Sequence, residues 1–166
     1  MFEIKLNNIE KKQIAFKKNF SNDCDVFLSL MNKIDENKIA RFNLNVGDFD
    51  LPMDFSYDFL SISDFLGNVL FFINNTNNIG SHKDLLFYER DDSKLRFTHL
   101  VDGNIDVRFI SNQKELGHQI YSTNGINSVF KEVVTKFDQI KLCFSFSENN
   151  LLSIDKWMNS ISNEIK

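Results

Sequence analysis

Glycine, proline, cysteine and alanine are all scarce in this chain of 166 residues: six glycines, one proline (Pro52), two cysteines and two alanines. No two glycines lie close enough for a dinucleotide fingerprint or a phosphate-binding loop, which excludes both motifs. Cys24 and Cys143 are far apart and form no C-x-x-C, so zinc-ligand spacing is absent. MFEIKLNNIEKK lacks a basic leader followed by an apolar run, so two buried free thiols in a reducing cytoplasm are expected. The richest apolar run, Val69–Ile73, is far too short to span a membrane. Between Phe42 and Ser81 there is no lysine or arginine at all.

What fills that stretch is Asp48, Asp50, Asp54, Asp58 and Asp64, interleaved with Phe49, Phe55, Tyr57, Phe59, Phe65, Phe71 and Phe72. The chain as a whole carries a net charge of −4, so a general nucleic-acid surface is not expected. The basic run Lys11, Lys12, Lys17, Lys18 reads as a solvated helix face flanked by Glu3 and Glu10. Hydrophobic residues at 42% and charged residues at 25% are what a folded domain requires, and the length suits one domain over 1–166. Phenylalanine is the excess, at 18 residues against three tyrosines and one tryptophan, and most of those rings are expected in the core.

Phe2, Ile4 and Leu6 alternate with polar residues as a strand does. Val26–Met31 reads as a helix running through Ile34, capped by Asn22 or Asp23. Ala40, Phe42, Leu44 and Val46 mark a second strand that Gly47 ends. Residues 48–62 read as irregular, leading to a helix capped by Ser63 and Asp64, with a loop at 74–80. Leu85–Arg90, Leu95–Val101 and Ile105–Phe109, with turns at Asp91–Ser93 and Asp102–Asn104, predict a three-stranded antiparallel meander over about 84–111. The stripe Ile126, Phe130, Val133, Phe137, Ile140 predicts one amphipathic helix. Asn149 and Asn150 mark a break before a second, carrying Leu151, Ile154, Trp157, Met158 and Ile161. Strands followed by helices give an α+β fold with helices packed on an antiparallel sheet.

No cofactor or metal is expected: Asp48-x-Asp50 has too few oxygen ligands for calcium, and Asp91-Asp92 is turn chemistry. His99 reads as a structural histidine on a strand, and His82 and His118 as solvated loop residues. The candidate partner-binding residues are Asp48, Asp50, Asp54, Phe55, Tyr57 and Asp58, because carboxylates steer a basic protein and rings anchor it. In size, acidity and missing catalytic motifs the chain is similar to small acidic bacterial immunity proteins, a likeness of character that carries over no residues. The expected function is therefore a cytoplasmic, non-enzymatic inhibitor of a basic partner such as a toxin or nuclease domain. One alternative is a hydrolase whose scattered site joins His118 to an aspartate. Another is a subunit of a larger assembly that buries its aromatic excess at an interface.

Overall fold

The structure, a computed structural model, describes residues 1–166. Its architecture is α+β. The strand β1 (Phe2–Asn7) buries Phe2, Ile4 and Leu6, as their alternation requires. It pairs antiparallel with β3 (Arg41–Val46), which pairs in turn with β4 (Phe49–Met53), giving the order β1-β3-β4. Between β1 and β3 run β2 (Ile14–Phe16) and α1 (Asp23–Glu36). Asn22 caps α1, its side chain accepting from Asp25 N–H at 2.9 Å. The lysines at 11, 12, 17 and 18 flank the short strand β2 rather than lining a helix.

A four-stranded antiparallel meander follows: β5 (His82–Leu86), β6 (Lys94–His99), β7 (Asn104–Ser111) and β8 (Lys114–Ser122). The three-stranded reading over 84–111 missed β8. The turn into β8 is Asn112-Gln113, both with positive φ, the geometry of a type I′ hairpin without its usual glycine. β5 also ends at Leu86, and 87–93 is a loop.

α3 (Thr123–Lys141) and α4 (Glu148–Glu164) complete the chain, joined through β9 (Phe144–Phe146), which pairs parallel with β2. The break thus falls before Glu148; Asn149 and Asn150 lie in the first turn of α4, where Ser147 caps the helix. Asn150 is buried and donates to the carbonyls of Phe16 and Lys18, tying α4 to β2.

One cluster of 38 buried apolar residues joins both larger sheets and all four helices. Twelve of the eighteen phenylalanines are buried in it, and Phe71 is the one exposed beyond half. Each buried ring stabilises the fold by about 1.5–3 kcal/mol relative to exposure. Phe2 meets Phe97 and Phe130 edge-on, bridging β1, β6 and α3, while Phe59 stacks on Phe137 at 5.4 Å. No helix is long and apolar enough to cross a membrane.

Candidate binding site

The acidic segment is more ordered than its sequence suggests. Gly47-Asp48 forms a two-residue hairpin turn with positive φ at Gly47 alone, as a type II′ turn requires. Phe49, Leu51 and Met53 then alternate inward along β4 while Asp50 and Pro52 point outward. In a two-residue hairpin the closing pair, Val46 and Phe49, is hydrogen-bonded. Alternation then puts Pro52 opposite Asn43 in a non-hydrogen-bonded pair, where its missing N–H costs the ladder nothing. So residues 48–53 are a hairpin and an outer strand, not an irregular segment.

The chain next enters a π-helical turn (Phe55–Phe59) that runs directly into α2 (Leu60–Asn75). The helix therefore starts well before Ser63 and Asp64, which lie inside it. Its free N–H groups are capped from a distance: the Asp35 carboxylate on α1 accepts from Phe55 N–H at 3.1 Å, Ser56 N–H at 2.8 Å, and the Ser56 hydroxyl. Asp58 reaches back to accept from Asp54 N–H at 2.8 Å.

A second acid run reaches the same place through one ion pair. The loop 87–93 closes on itself through Phe87 N–H to the Ser93 carbonyl at 2.9 Å. From it Arg90 donates to both Asp58 oxygens, at 2.6 and 2.8 Å, and to the Pro52 carbonyl at 3.2 Å. The hydrogen bond to Asp58, opposed by burial, raises the Arg90 pKa above its ordinary value. Anchored this way, the loop sets Glu89 beside Asp54 and Tyr57, with Asp91 lining the adjoining cleft. Asp54, Glu89, Asp91 and Asp92 are exposed, and none of them is in an ion pair.

Two clefts adjoin here. The first, of 360 Å³, is lined by Asp54, Tyr57, Asp58, Glu89 and Arg90. The second, of 320 Å³, shares Glu89 and Arg90 and has Phe49, Leu51, Phe109 and Leu116 as its apolar part. Phe49 stacks on Phe109 at 5.0 Å. A larger cavity, 610 Å³, adjoins the same loop, lined by Tyr88, Asp92, Lys94, Arg96 and Ile110 among others.

The six residues singled out from the sequence are split by the fold. Asp54 and Tyr57 line the first cleft and are exposed, Tyr57 by 56%. Asp58, at 1% exposure, is its buried floor, held by Arg90. Phe55 is in the core against Phe42 and Phe59, so it offers no surface. Asp50 faces outward from β4, accepting from Asn43, with Lys5 close enough to feel its charge. Asp48 is exposed on the hairpin turn. Glu89 and Asp91 went unnoticed as site residues, because nothing local joins residue 90 to residue 58.

The remaining titratable groups bear on other chemistries. His99 is buried, its Nε2 3.2 Å from the Phe72 carbonyl. His82 and His118 lie on β5 and β8 rather than in loops. His118 does meet an aspartate: its Nε2 is 2.7 Å from Asp106 Oδ1. That oxygen nonetheless lacks a well-directed hydrogen bond, so the contact is one of proximity. Asp106 is held through its other oxygen by Arg108 at 2.6 Å. Neither His118 nor Asp106 lines any of the five principal clefts. Cys143 is buried and free; Cys24, expected to be buried, is exposed near the start of α1. No three histidine, cysteine or carboxylate side chains gather to hold a metal ion. No family model matches the chain, and neither a curated protein nor a solved structure matches it.

Proposed function

We propose that this protein is a non-enzymatic binding module acting in the cytoplasm, which neutralises a basic partner such as a toxin or nuclease domain. One observation carries the reading: Asp54 and Glu89 line one cleft with the exposed Tyr57, Asp91 lines the cleft beside it, and none of these three carboxylates is in an ion pair. The carboxylates on the meander strands, by contrast, are all in ion pairs. On the solvent face of the meander Asp84 holds Lys94 and Arg96, and Arg108 is shared by Asp106 and Glu115. Uncompensated carboxylates raise the association rate of a cationic protein, and an aromatic side chain supplies contact area at little entropic cost.

The test is affinity capture from lysate of the native cell at low and high salt, using the wild-type chain and an Asp54→Asn/Glu89→Gln/Asp91→Asn variant. A basic protein retained in near-stoichiometric amount by the wild type, lost by the variant and associating more slowly at high salt, supports the reading. Equal retention by both chains removes the acidic end from the interface.

The hydrolase reading has one observation in its favour, the meeting of His118 and Asp106. A histidine beside a buried carboxylate is a candidate general base. That pair lies on the solvent face of the meander, outside the five principal clefts, and the binding reading is preferred for that reason.

A further inference from the structure

We propose that the partner docks through a short amphipathic segment that places a lysine or arginine in the 360 Å³ acidic cleft and an apolar side chain in the 320 Å³ groove beside it. The inference rests on the binding-module reading and adds what the docking segment must look like. The two recesses share a wall, Glu89 and Arg90, so neighbouring side chains of one segment fill both.

Charge decides what the first cleft accepts. Arg90 is its only cation, and Asp58 already takes that charge through two hydrogen bonds. Asp54 and Glu89 are left over, with the Tyr57 ring as a wall for a cation to rest on. An anionic side chain here meets two uncompensated carboxylates and is repelled. The second recess asks for something different. Leu51 and Phe49 are half-buried, Leu116 is 46% exposed, and the Phe49–Phe109 stack makes the floor rigid. Glu89 and Asp91 rim it, so its occupant also carries positive charge nearby.

Backbone pairing does not hold the segment. β4 is the outer strand of its sheet, which would invite a further strand. Pro52 has no N–H to give, however, and its carbonyl is taken by Arg90. Recognition is therefore by side chains. The larger cavity beside the loop is a poorer fit for a basic segment, because Lys94 and Arg96 outnumber Asp92 among its lining residues.

The experiment is an NMR titration of the isotope-labelled chain with three short synthetic peptides: alternating Arg and Leu, alternating Arg and Gln, and alternating Glu and Leu. The Arg–Leu peptide is expected to shift the Tyr57 ring and the Leu51 and Leu116 methyl signals together. Its affinity should fall about tenfold in Asp54→Asn/Glu89→Gln and, separately, in Leu116→Asn, a loss of about 1.4 kcal/mol each. Both variants alter exposed side chains, and unchanged urea midpoints check that they fold. If both arginine peptides move Tyr57 and neither moves Leu51 or Leu116, the groove is overturned while the basic-partner reading stands. If no arginine peptide perturbs the acidic end, or the Glu–Leu peptide binds as well, both fail together.

Discussion

Arg90 and Asp58 stand 32 residues apart in sequence and meet through two parallel hydrogen bonds of 2.6 and 2.8 Å, with the carboxylate 1% exposed. This pair fastens the 87–93 loop to the start of α2 and so assembles the acidic end. Removing one partner strands the other. Arg90→Ala leaves a buried, uncompensated carboxylate and should cost about 3–5 kcal/mol. Arg90→Lys keeps the charge but loses the fork geometry, and should fall between wild type and Arg90→Ala. Replacing both by apolar residues of similar volume should recover much of the loss, since the desolvation penalty goes with the charges. Urea unfolding of the four chains measures this; a loss below about 1 kcal/mol in Arg90→Ala would show the loop held by something else.

A close approach between the two larger sheets makes a second prediction. A Cβ on Gly117 of β8 would stand 2.4 Å from the Val46 carbonyl and 2.9 Å from Phe49 Cβ. The neighbours are backbone and a stacked ring, so neither swings away. Gly117→Ala should cost about 3 kcal/mol, the upper end for an overpacked site. Gly80 separates space from backbone strain: its φ is +81°, yet nothing lies within 4 Å of its would-be Cβ. Gly80→Ala should cost only the left-handed backbone term, about 1 kcal/mol. Urea midpoints that rank the two the other way would place the sheets farther apart than they are drawn here.

These two relationships also mark where the sequence stops being legible. β1, β3, α1, α3 and α4 follow from periodicity because each buries one regular face. β8 escapes that logic: its inward positions are Gly117, Gln119 and Tyr121, chosen for close approach and hydrogen bonding rather than apolar area. β4 does alternate, with Phe49, Leu51 and Met53 inward, but Pro52 suggests a break unless its non-hydrogen-bonded register is known. The start of α2 is set largely by Asp35, some twenty residues upstream, and the one local cap, Asp58 on Asp54 N–H, lies before Ser63 and Asp64. Asp54 and Tyr57 are exposed, as the sequence reading expects. The burial of Phe55 rests on Phe42 and Phe59, and the pairing of Asp58 and the arrival of Glu89 and Asp91 rest on the Arg90 clasp, which are facts of tertiary structure alone.

Two carboxylates with opposite surroundings give a third prediction, in pH. Burial pushes the Asp84 carboxyl up, but hydrogen bonds from Arg96 and Lys94 outweigh it and hold its pKa below the ordinary 3.8. A lowered folded pKa means a stabilising contribution that is complete above 3.8 and lost as pH falls through the folded value. Asp64 is the reverse. It sits on α2 in no ion pair, and partial burial raises its pKa above 3.8. Its folded state binds the proton more tightly than the unfolded chain does, so its cost is absent at low pH and sets in as pH rises from 3.8 through the folded value. Asp64→Asn should therefore stabilise the protein at pH 7 and leave it unchanged near pH 3. Asp84→Asn should destabilise it at pH 7, by a margin that narrows below 3.8. Urea unfolding at both pH values separates the cases. A gain for Asp64→Asn that is the same at pH 3 would trace to helix propensity rather than to the partly desolvated charge, because propensity does not titrate.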